Sequence, residues 1–352
     1  MMLDVLKIVI PSVLTFFLGI FITPFFTNIF YKYKMWKKHP RTDSGDITTS
    51  DFAKIHNTNK ELSTPRIGGV IIWVSVLLTV LIIYLTSIIF PSDLTLKLNF
   101  FSRSQTLIPL ATLILAACIG LFDDMMHILG KGSYAKDSII YRKFKIFLVI
   151  IIGLLISLWF YFKLDMSTVH IPFWGELDVS IWFIPFFIIV MLAVFSTSVI
   201  DGIDGLSGGV LVTIFTAYSI IAFVNNQIDI AAFCAVVAGG ILAFLWFNIP
   251  PARFYMGETG MLALTTTLAV IAFLTDSVIL LIVIALPLVA TSASVIIQII
   301  SYKYFNKHRI FKVAPLHHHF EAIGWSREKV VMRYWIISVV SAISGTILVL
   351  IS

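Results

Sequence analysis

Residues 8–30, IVIPSVLTFFLGIFITPFFTNIF, form a long apolar run that contains no charged residue. As a helix, a run of this length crosses the hydrocarbon core of a bilayer, which takes about 20 residues. The run is too long for the apolar core of a signal peptide, and no small-residue cleavage site follows it. The stretch therefore predicts a first membrane-spanning helix.

Similar apolar windows recur along the rest of the chain, at residues 67–90, 106–122, 144–162, 181–200, 206–224, 228–247, 259–275, 277–301 and 334–351. These runs are continuous and do not alternate, which favours α-helices over the strands of a membrane barrel. Of the 352 residues, 59% are hydrophobic and 12% are charged, against about 45–50% and about 25% in soluble proteins. We predict one all-α, polytopic membrane domain over residues 1–352 with about ten transmembrane helices, which excludes a soluble globule.

The basic residues are distributed unevenly between the two sides of this arrangement. Of the 25 Lys and Arg residues, only Lys7, Lys97, Arg103 and Lys163 fall on one side. Cytoplasmic loops carry the excess of Lys and Arg, so the other side is predicted to be cytoplasmic and both termini to lie outside. The net charge of +6 is thereby explained by topology, and we expect no nucleic-acid partner.

One connection on the outer side has a strand pattern. Residues 168–179, TVHIPFWGELDV, alternate apolar and polar positions around a Trp-Gly-Glu turn. This pattern predicts a small hairpin at the membrane surface, with Trp174 among the lipid headgroups.

Five carboxylates fall in three separate cytoplasmic segments: Asp123, Asp124, Asp201, Asp204 and Glu258. The first two are expected at the C-terminal end of the third helix, where the helix dipole disfavours negative charge. Asp201 and Asp204 are three residues apart, so a helix would place them on one face. Each group also has a plainer interpretation: a solvated loop start for the first pair, a helix cap for Asp204, and an electrostatic cap for Glu258.

Converging carboxylates need a counter-charge, because like charges at short distance raise one another's pKa. Oxygen ligands suit Mg²⁺ better than zinc. We therefore expect Mg²⁺ at this face of the protein, and the surrounding basic residues favour an anionic substrate.

Two further cytoplasmic segments carry candidate phosphate-binding groups. His317, His318 and His319 are adjacent, so on a helix they point in different directions and cannot all bind one ion. Phosphate contact or proton handling suits them better. Lys60 and Arg66 flank a Pro and Gly turn before the second helix, which could meet phosphate oxygens or could simply be the start of that helix.

Together these segments resemble the polyprenyl-phosphate N-acetylhexosamine-1-phosphate transferase superfamily. The resemblance covers essentially the whole chain and depends on five motifs in order: STPRIGG at 63–69, FDD at 122–124, DGIDGLSGG at 201–209, FNIPPARFYMGETG at 247–260 and PLHHHFE at 315–321. The triple-histidine motif is similar to that of the branch that acts on UDP-N-acetylmuramoyl-pentapeptide.

This resemblance implies a role for each matching residue. Implied catalytic residues are Asp123, Asp124, Asp201, His317 and His318, with Glu258 as the metal ligand. Implied substrate-binding residues are Lys60, Lys143, Ser198, Asp204, Asn248 and His319. Two positions depart from the family pattern, since Glu258 stands where Asp is usual and Ser198 where Asn is usual.

The resemblance also implies a reaction, a location and a set of partners. The expected activity is Mg²⁺-dependent transfer of phospho-N-acetylmuramoyl-pentapeptide from UDP to undecaprenyl phosphate, with release of UMP, in peptidoglycan synthesis at the bacterial cytoplasmic membrane. Membrane lipid is an expected partner, and a homodimer is left open. An alternative within the family uses another UDP-N-acetylhexosamine, for teichoic acid, capsule or O-antigen. An ion-coupled transporter is the remote alternative. The acids of a transporter should lie near the bilayer midplane, whereas the acids of this chain are predicted at helix ends on one side of the membrane.

Overall fold

Long helices and one small β-hairpin make up the protein in a computed structural model that describes residues 2–36, 63–100, 104–130 and 139–352. The helices are α1 (Met2–Lys32), α2 (Val70–Ile89), α3 (Asp93–Leu98), α4 (Ser104–Leu129), α5 (Ile139–Lys163), α6 (Phe183–Ser196), α7 (Leu206–Val224), α8 (Ile228–Asn248), α9 (Gly257–Leu274), α10 (Leu281–Ile284), α11 (Leu286–Tyr304), α12 (Leu316–Ala322) and α13 (Arg327–Ile351). Short 3₁₀ turns, Ser180–Trp182 and Thr197–Ile200, flank α6.

Among the described residues, ten helical segments are long and apolar enough to cross a membrane. They match the ten apolar windows, so the predicted helical, multi-pass architecture is confirmed. Helices dominate because lipid offers no hydrogen bonds, and each spanning segment must satisfy its own backbone groups. The same constraint explains why α1 continues past Pro11 and Pro24, as packed neighbours support a helix at such points.

The end of α4 differs from the prediction. The apolar window stops at residue 122, but the helix continues to Leu129. Asp123 and Asp124 are therefore inside the helix and not at its C-terminal end. The prediction was wrong there because hydropathy ends at the first charge, whereas a carboxylate with partners on neighbouring segments does not stop a helix.

The window at 277–301 contains two helices and not one. Asp276 follows the end of α9 with a positive φ of 50°, as expected of a break at this residue. The short α10 then precedes α11, which has Pro287 in its first turn. Proline lacks an N–H and is tolerated at the start of a helix but not in its interior, so it separates the two pieces.

The predicted hairpin is confirmed. Strand β1 (Thr168–Ile171) pairs antiparallel with β2 (Gly175–Asp178), and Thr168 lies opposite Asp178. Trp174 at the turn is largely exposed, which suits a residue placed at a membrane surface.

Helix α9 is the centre of the bundle and is buried along almost its whole length. It packs against α4 and α6, while α8 packs against α1, α2 and α7. Threonines inside α9 satisfy themselves locally, since Thr265 and Thr266 each donate to a carbonyl one turn earlier. The N-terminal turn of this central helix is where the predicted site residues meet.

Candidate active site

The first turn of α9 gathers carboxylates from two other segments. The backbone N–H and the hydroxyl of Thr259 donate to Asp124 Oδ2 of α4, at 2.8 and 2.7 Å. The N–H of Gly257 donates to Asp201 Oδ2 at 3.3 Å. The first N–H groups of a helix have no partners within the helix, and its N-terminus favours negative charge. The start of α9 therefore holds two of the predicted acids in place.

Glycines allow these segments to approach closely. A Cβ at Gly120 of α4 would overlap the carbonyl oxygen of Glu258. Gly257 has a positive φ of 68°, and a Cβ there would overlap the carbonyl oxygen of Arg66. Backbone meets backbone at both points, so no flexible side chain can move aside.

Replacing Gly120 by alanine should lower stability by about 1–3 kcal/mol, the usual cost of overpacking, because Glu258 must shift away from α4. The measurement is the thermal unfolding midpoint in detergent, together with activity. The matched control is Gly153→Ala on α5, where a Cβ would lie 3.4 Å from the Met191 sulfur in ordinary contact. Equal midpoints for the two variants would contradict the close approach of α4 to α9.

Lys145 of α5 links two of the predicted acids. Its Nζ donates to Glu258 Oε1 at 2.6 Å and lies 3.4 Å from Asp123 Oδ2. Asp123 is almost fully buried, so this cation lowers the cost of placing two carboxylates together. The sequence did not single out Lys145, because it belongs to a basic run that also contains Lys143, whose side chain is exposed.

At this site, three buried carboxylate oxygens have no hydrogen-bond partner among the described residues: Asp123 Oδ1, Asp124 Oδ1 and Glu258 Oε2. The Nε2 atom of His127 lies 3.8 Å from Asp123 Oδ1, which is beyond hydrogen-bond distance. No three His, Cys, Asp or Glu side chains of the described residues are arranged to hold one ion by themselves. The predicted convergence of acids is thus present in part, with Lys145 inside it.

Asp201 and Asp204 do not share a helical face. Residues 201–205 form a turn before α7, so the helical expectation is wrong. Asp201 Oδ1 accepts from the Ser207 hydroxyl at 2.8 Å, and burial raises the pKa of Asp201. Asp204 Oδ2 accepts from the N–H of Ala252 at 3.1 Å. A glycine at position 205, with a positive φ of 78°, allows the chain to turn into α7.

The side-chain amide of Asn248 links two backbone segments. Its Oδ1 accepts from the N–H of Gly205 and its Nδ2 donates to the carbonyl of Phe254, both at 2.8 Å. Its side chain is buried, so its amide fixes the segment between α8 and α9 against the turn that bears Asp201. Asp204 joins the same two segments, because it accepts a hydrogen bond from the N–H of Ala252.

The predicted divergence of the three histidines holds for His319 only, because the His317 and His318 rings lie with their centroids 4.3 Å apart. His317 and His318 lie buried in α12 beside Gly202, where a Cβ would overlap the Nε2 atoms of both rings. Burial and the neighbouring His318 hold the pKa of His317 well below its ordinary value. His319 turns away, and its Nδ1 accepts from the N–H of Lys312 at 3.1 Å.

A cavity of about 370 Å³ connects these groups. Its wall includes Ser198, Asp201, Glu258 and His318, and it also carries three cationic side chains, Arg66, Arg309 and Lys312. Asp123 and Asp124 do not line the cavity. Asp124 is hydrogen-bonded to Thr259, and Asp123 shares Lys145 with the lining residue Glu258. Sequence reasoning missed Arg309 and Lys312, since nothing in a basic loop shows which residues face a cavity. Lys60 lies outside the described residues.

The loop with the two basic residues is fixed from α11. Gln298 accepts from the N–H of Phe311 at 3.0 Å, and Ser294 accepts from the N–H of Leu316 at 2.9 Å. Both α11 side chains are buried. The loop that forms this side of the cavity is therefore anchored at two points. Phe311 lies between Arg309 and Lys312, and Leu316 lies immediately before the histidines.

Comparison with known proteins matches the part of the chain that carries the candidate site. The family model described as glycosyl transferase family 4 matches residues 106–276, which include α4, the Asp201 turn and α9. A protein of Listeria monocytogenes is 35% identical over 309 residues, covering 87% of this chain and 90% of the relative. A protein of Chloroflexus aurantiacus is 34% identical over 304 residues, covering 83% and 78%. Both relatives are named phospho-N-acetylmuramoyl-pentapeptide-transferase.

Proposed function

Because the chain belongs to the phospho-N-acetylmuramoyl-pentapeptide-transferase family, we propose that it catalyses transfer of phospho-N-acetylmuramoyl-pentapeptide from UDP to undecaprenyl phosphate. The products are a lipid-linked diphosphate sugar, used in peptidoglycan synthesis, and UMP. The chain is accordingly a membrane transferase with about ten spanning helices.

The observation that carries this proposal is the mixed charge of the 370 Å³ cavity. Arg66, Arg309 and Lys312 supply fixed positive charge for the phosphates of two anionic substrates. Asp201, Glu258 and His318 on the same wall supply groups that can accept or donate hydrogen bonds. Phosphoryl transfer needs mainly positioning and charge neutralisation, which this set of side chains provides.

Mg²⁺ fits the donor set of this site. Asp123, Asp124 and Glu258 each present a buried oxygen without a hydrogen-bond partner among the described residues. Mg²⁺ keeps several waters and typically binds one or two carboxylates plus substrate phosphates, so a cage of three protein ligands is not required. One or two of these carboxylates, together with substrate phosphates, would hold the ion, which supplies positive charge to the phosphate oxygens when bound.

The protein's own residues would position the two reactants. An oxygen of the lipid phosphate forms a bond to the β-phosphorus of the donor, and the bond to the oxygen that bridges to the α-phosphate breaks. UMP leaves with that electron pair. A phosphate monoester is largely ionised at pH 7, so proton removal contributes little. Arg66 and the loop cations Arg309 and Lys312 would hold donor and acceptor phosphates in line.

The sidedness of the site belongs to this proposal. The loops that carry the site residues also carry most of the Lys and Arg residues, which is typical of cytoplasmic loops. We therefore place the cavity on the cytoplasmic side of a bacterial inner membrane and both termini on the outer side. A nucleotide sugar would reach it from the cytoplasm and the lipid phosphate from the inner leaflet.

Purified protein in detergent, supplied with undecaprenyl phosphate, should release UMP from UDP-N-acetylmuramoyl-pentapeptide when Mg²⁺ is present and not in excess EDTA. UDP-N-acetylglucosamine is the comparison donor. Turnover with that donor alone would overturn the substrate assignment, and full activity in EDTA would remove the metal from the proposal. In sealed right-side-out vesicles, external donor should give UMP only after the membrane is opened, which tests the sidedness.

A further inference from the structure

Glu321, the last residue of the PLHHHFE motif, holds one of the two buried histidines. Its Oε2 lies 2.6 Å from His318 Nδ1, and its Oε1 accepts from Arg327 Nε at 2.9 Å. Only 5% of the Glu321 side chain and 8% of the His318 side chain are exposed. A carboxylate buried this far is found where its charge is paired on both oxygens.

Local sequence explains how the three groups meet. His318 and Glu321 are three residues apart on α12, so they lie on one face of that helix. Gly324, with a positive φ of 102°, ends the segment and turns the chain into α13, where Arg327 is the first residue. The geometry therefore links α12 to α13 through a single carboxylate.

The chemistry of a carboxylate fixes the state of the ring. An ionised carboxylate only accepts hydrogen bonds, so His318 Nδ1 must carry the proton that lies between them. The partner of one ring nitrogen determines which way the other nitrogen is presented. His318 Nε2 is then directed at Gly202, where a Cβ would come within 2.9 Å of it, and His318 forms part of the cavity wall.

We propose that Glu321 is a positioning residue, which holds the His318 ring so that Nε2 faces the phosphorylated substrates in the cavity. This inference rests on the proposed function, and it adds a residue that acts only through His318. Arg327 holds the second oxygen of the carboxylate and prevents it from turning away. The His317 ring packs against His318 with the ring centroids 4.3 Å apart, but its nitrogens have no hydrogen-bond partner among the described residues, so this contact does not fix which nitrogen of His318 carries the proton.

The test is a double-mutant cycle between Glu321→Gln and His318→Ala, with UMP release as the assay. Glu321→Gln keeps the shape of the side chain and should lower kcat/KM by about tenfold to a hundredfold, the range known for carboxylates that orient metal-bound histidines. In the His318→Ala background, the same substitution should have no further effect, because its role passes through that ring. The unfolding midpoint of Glu321→Gln should stay near that of the parent protein.

Glu321→Ala gives a second route to the same answer. Formate added to this variant can occupy the vacated pocket and restore a negative charge, so activity should rise severalfold with formate and not with formamide. Glu328→Gln is the matched control, since Glu328 is an exposed acid in the first turn of α13, and it should retain parental kcat/KM.

The outcomes separate this inference from the proposed function. Parental kcat/KM in Glu321→Gln, or equal losses from that substitution with and without His318, would overturn the positioning role while leaving the transferase intact. Absence of UMP release by the parent protein would instead overturn the proposed function.

Discussion

Asp123→Asn is expected to reduce UMP release by about a hundredfold to a thousandfold, the loss typical when a group that stabilises transition-state charge is removed. Asp123 is almost fully buried in α4, one oxygen faces Lys145, and the other has no hydrogen-bond partner among the described residues. An amide keeps the shape of the side chain but removes the negative charge. In the proposed Mg²⁺ site it would therefore bind the cation more weakly.

The control for this substitution is Asp93→Asn, which removes an exposed acid in α3 and should leave turnover unchanged. Asp124→Asn provides a contrast of another kind. Asp124 accepts two hydrogen bonds from Thr259, so its substitution should lower the unfolding midpoint as well as activity. Parental turnover in a folded Asp123→Asn protein would remove Asp123 from the site.

Hydropathy was sufficient to predict the fold because lipid imposes one simple requirement on each spanning segment. All ten windows correspond to helices, and the alternating stretch at 168–179 corresponds to the hairpin. The ends of the helices were less accessible. Helix α4 continues past Asp123 because its carboxylates find partners on α9 and α5, and α13 begins at Arg327, before its apolar window at residue 334, because Ser326 caps it by accepting from the N–H of Lys329.

The site was predictable in its parts and not in its connections. Five acids and three histidines were identifiable because such residues are costly in an apolar chain. Their partners are set by tertiary packing, which no local pattern records. Asn248 illustrates the difference. A polar residue beside a candidate loop suggests ligand contact, but in the structure its amide oxygen and nitrogen are hydrogen-bonded to the backbone of Gly205 and Phe254.

Lys143 and Lys145 show the same limit most directly. They are two residues apart at the start of one helix, so they cannot lie on the same face. Family resemblance favoured Lys143, yet in the structure Lys143 is exposed and Lys145 contacts Asp123 and Glu258. Only the rotation of α5 about its axis decides between them, and packing against α6 sets that rotation.

Lys145→Met should therefore reduce UMP release by at least about a hundredfold, since it leaves Asp123 and Glu258 without their shared cation and disturbs the charges that face the phosphates. Methionine preserves the apolar stem, so packing changes little. Stability should fall by up to about 3 kcal/mol, because removing one partner of a buried ion pair leaves an uncompensated charge. Turnover and the unfolding midpoint in detergent measure the two effects.

Lys143→Met is the matched control, with the same change of side chain two residues away, and it should keep both properties near those of the parent. The double variant Lys145→Met with Glu258→Gln separates charge balance from catalysis. Removing one carboxylate together with the cation should recover most of the lost stability but none of the activity, because the site then lacks a lysine and an acid. If Lys143→Met were instead the damaging substitution, the orientation of α5 described above would be wrong. Lys143, the lysine favoured by family resemblance, would then be the one that contacts the acids.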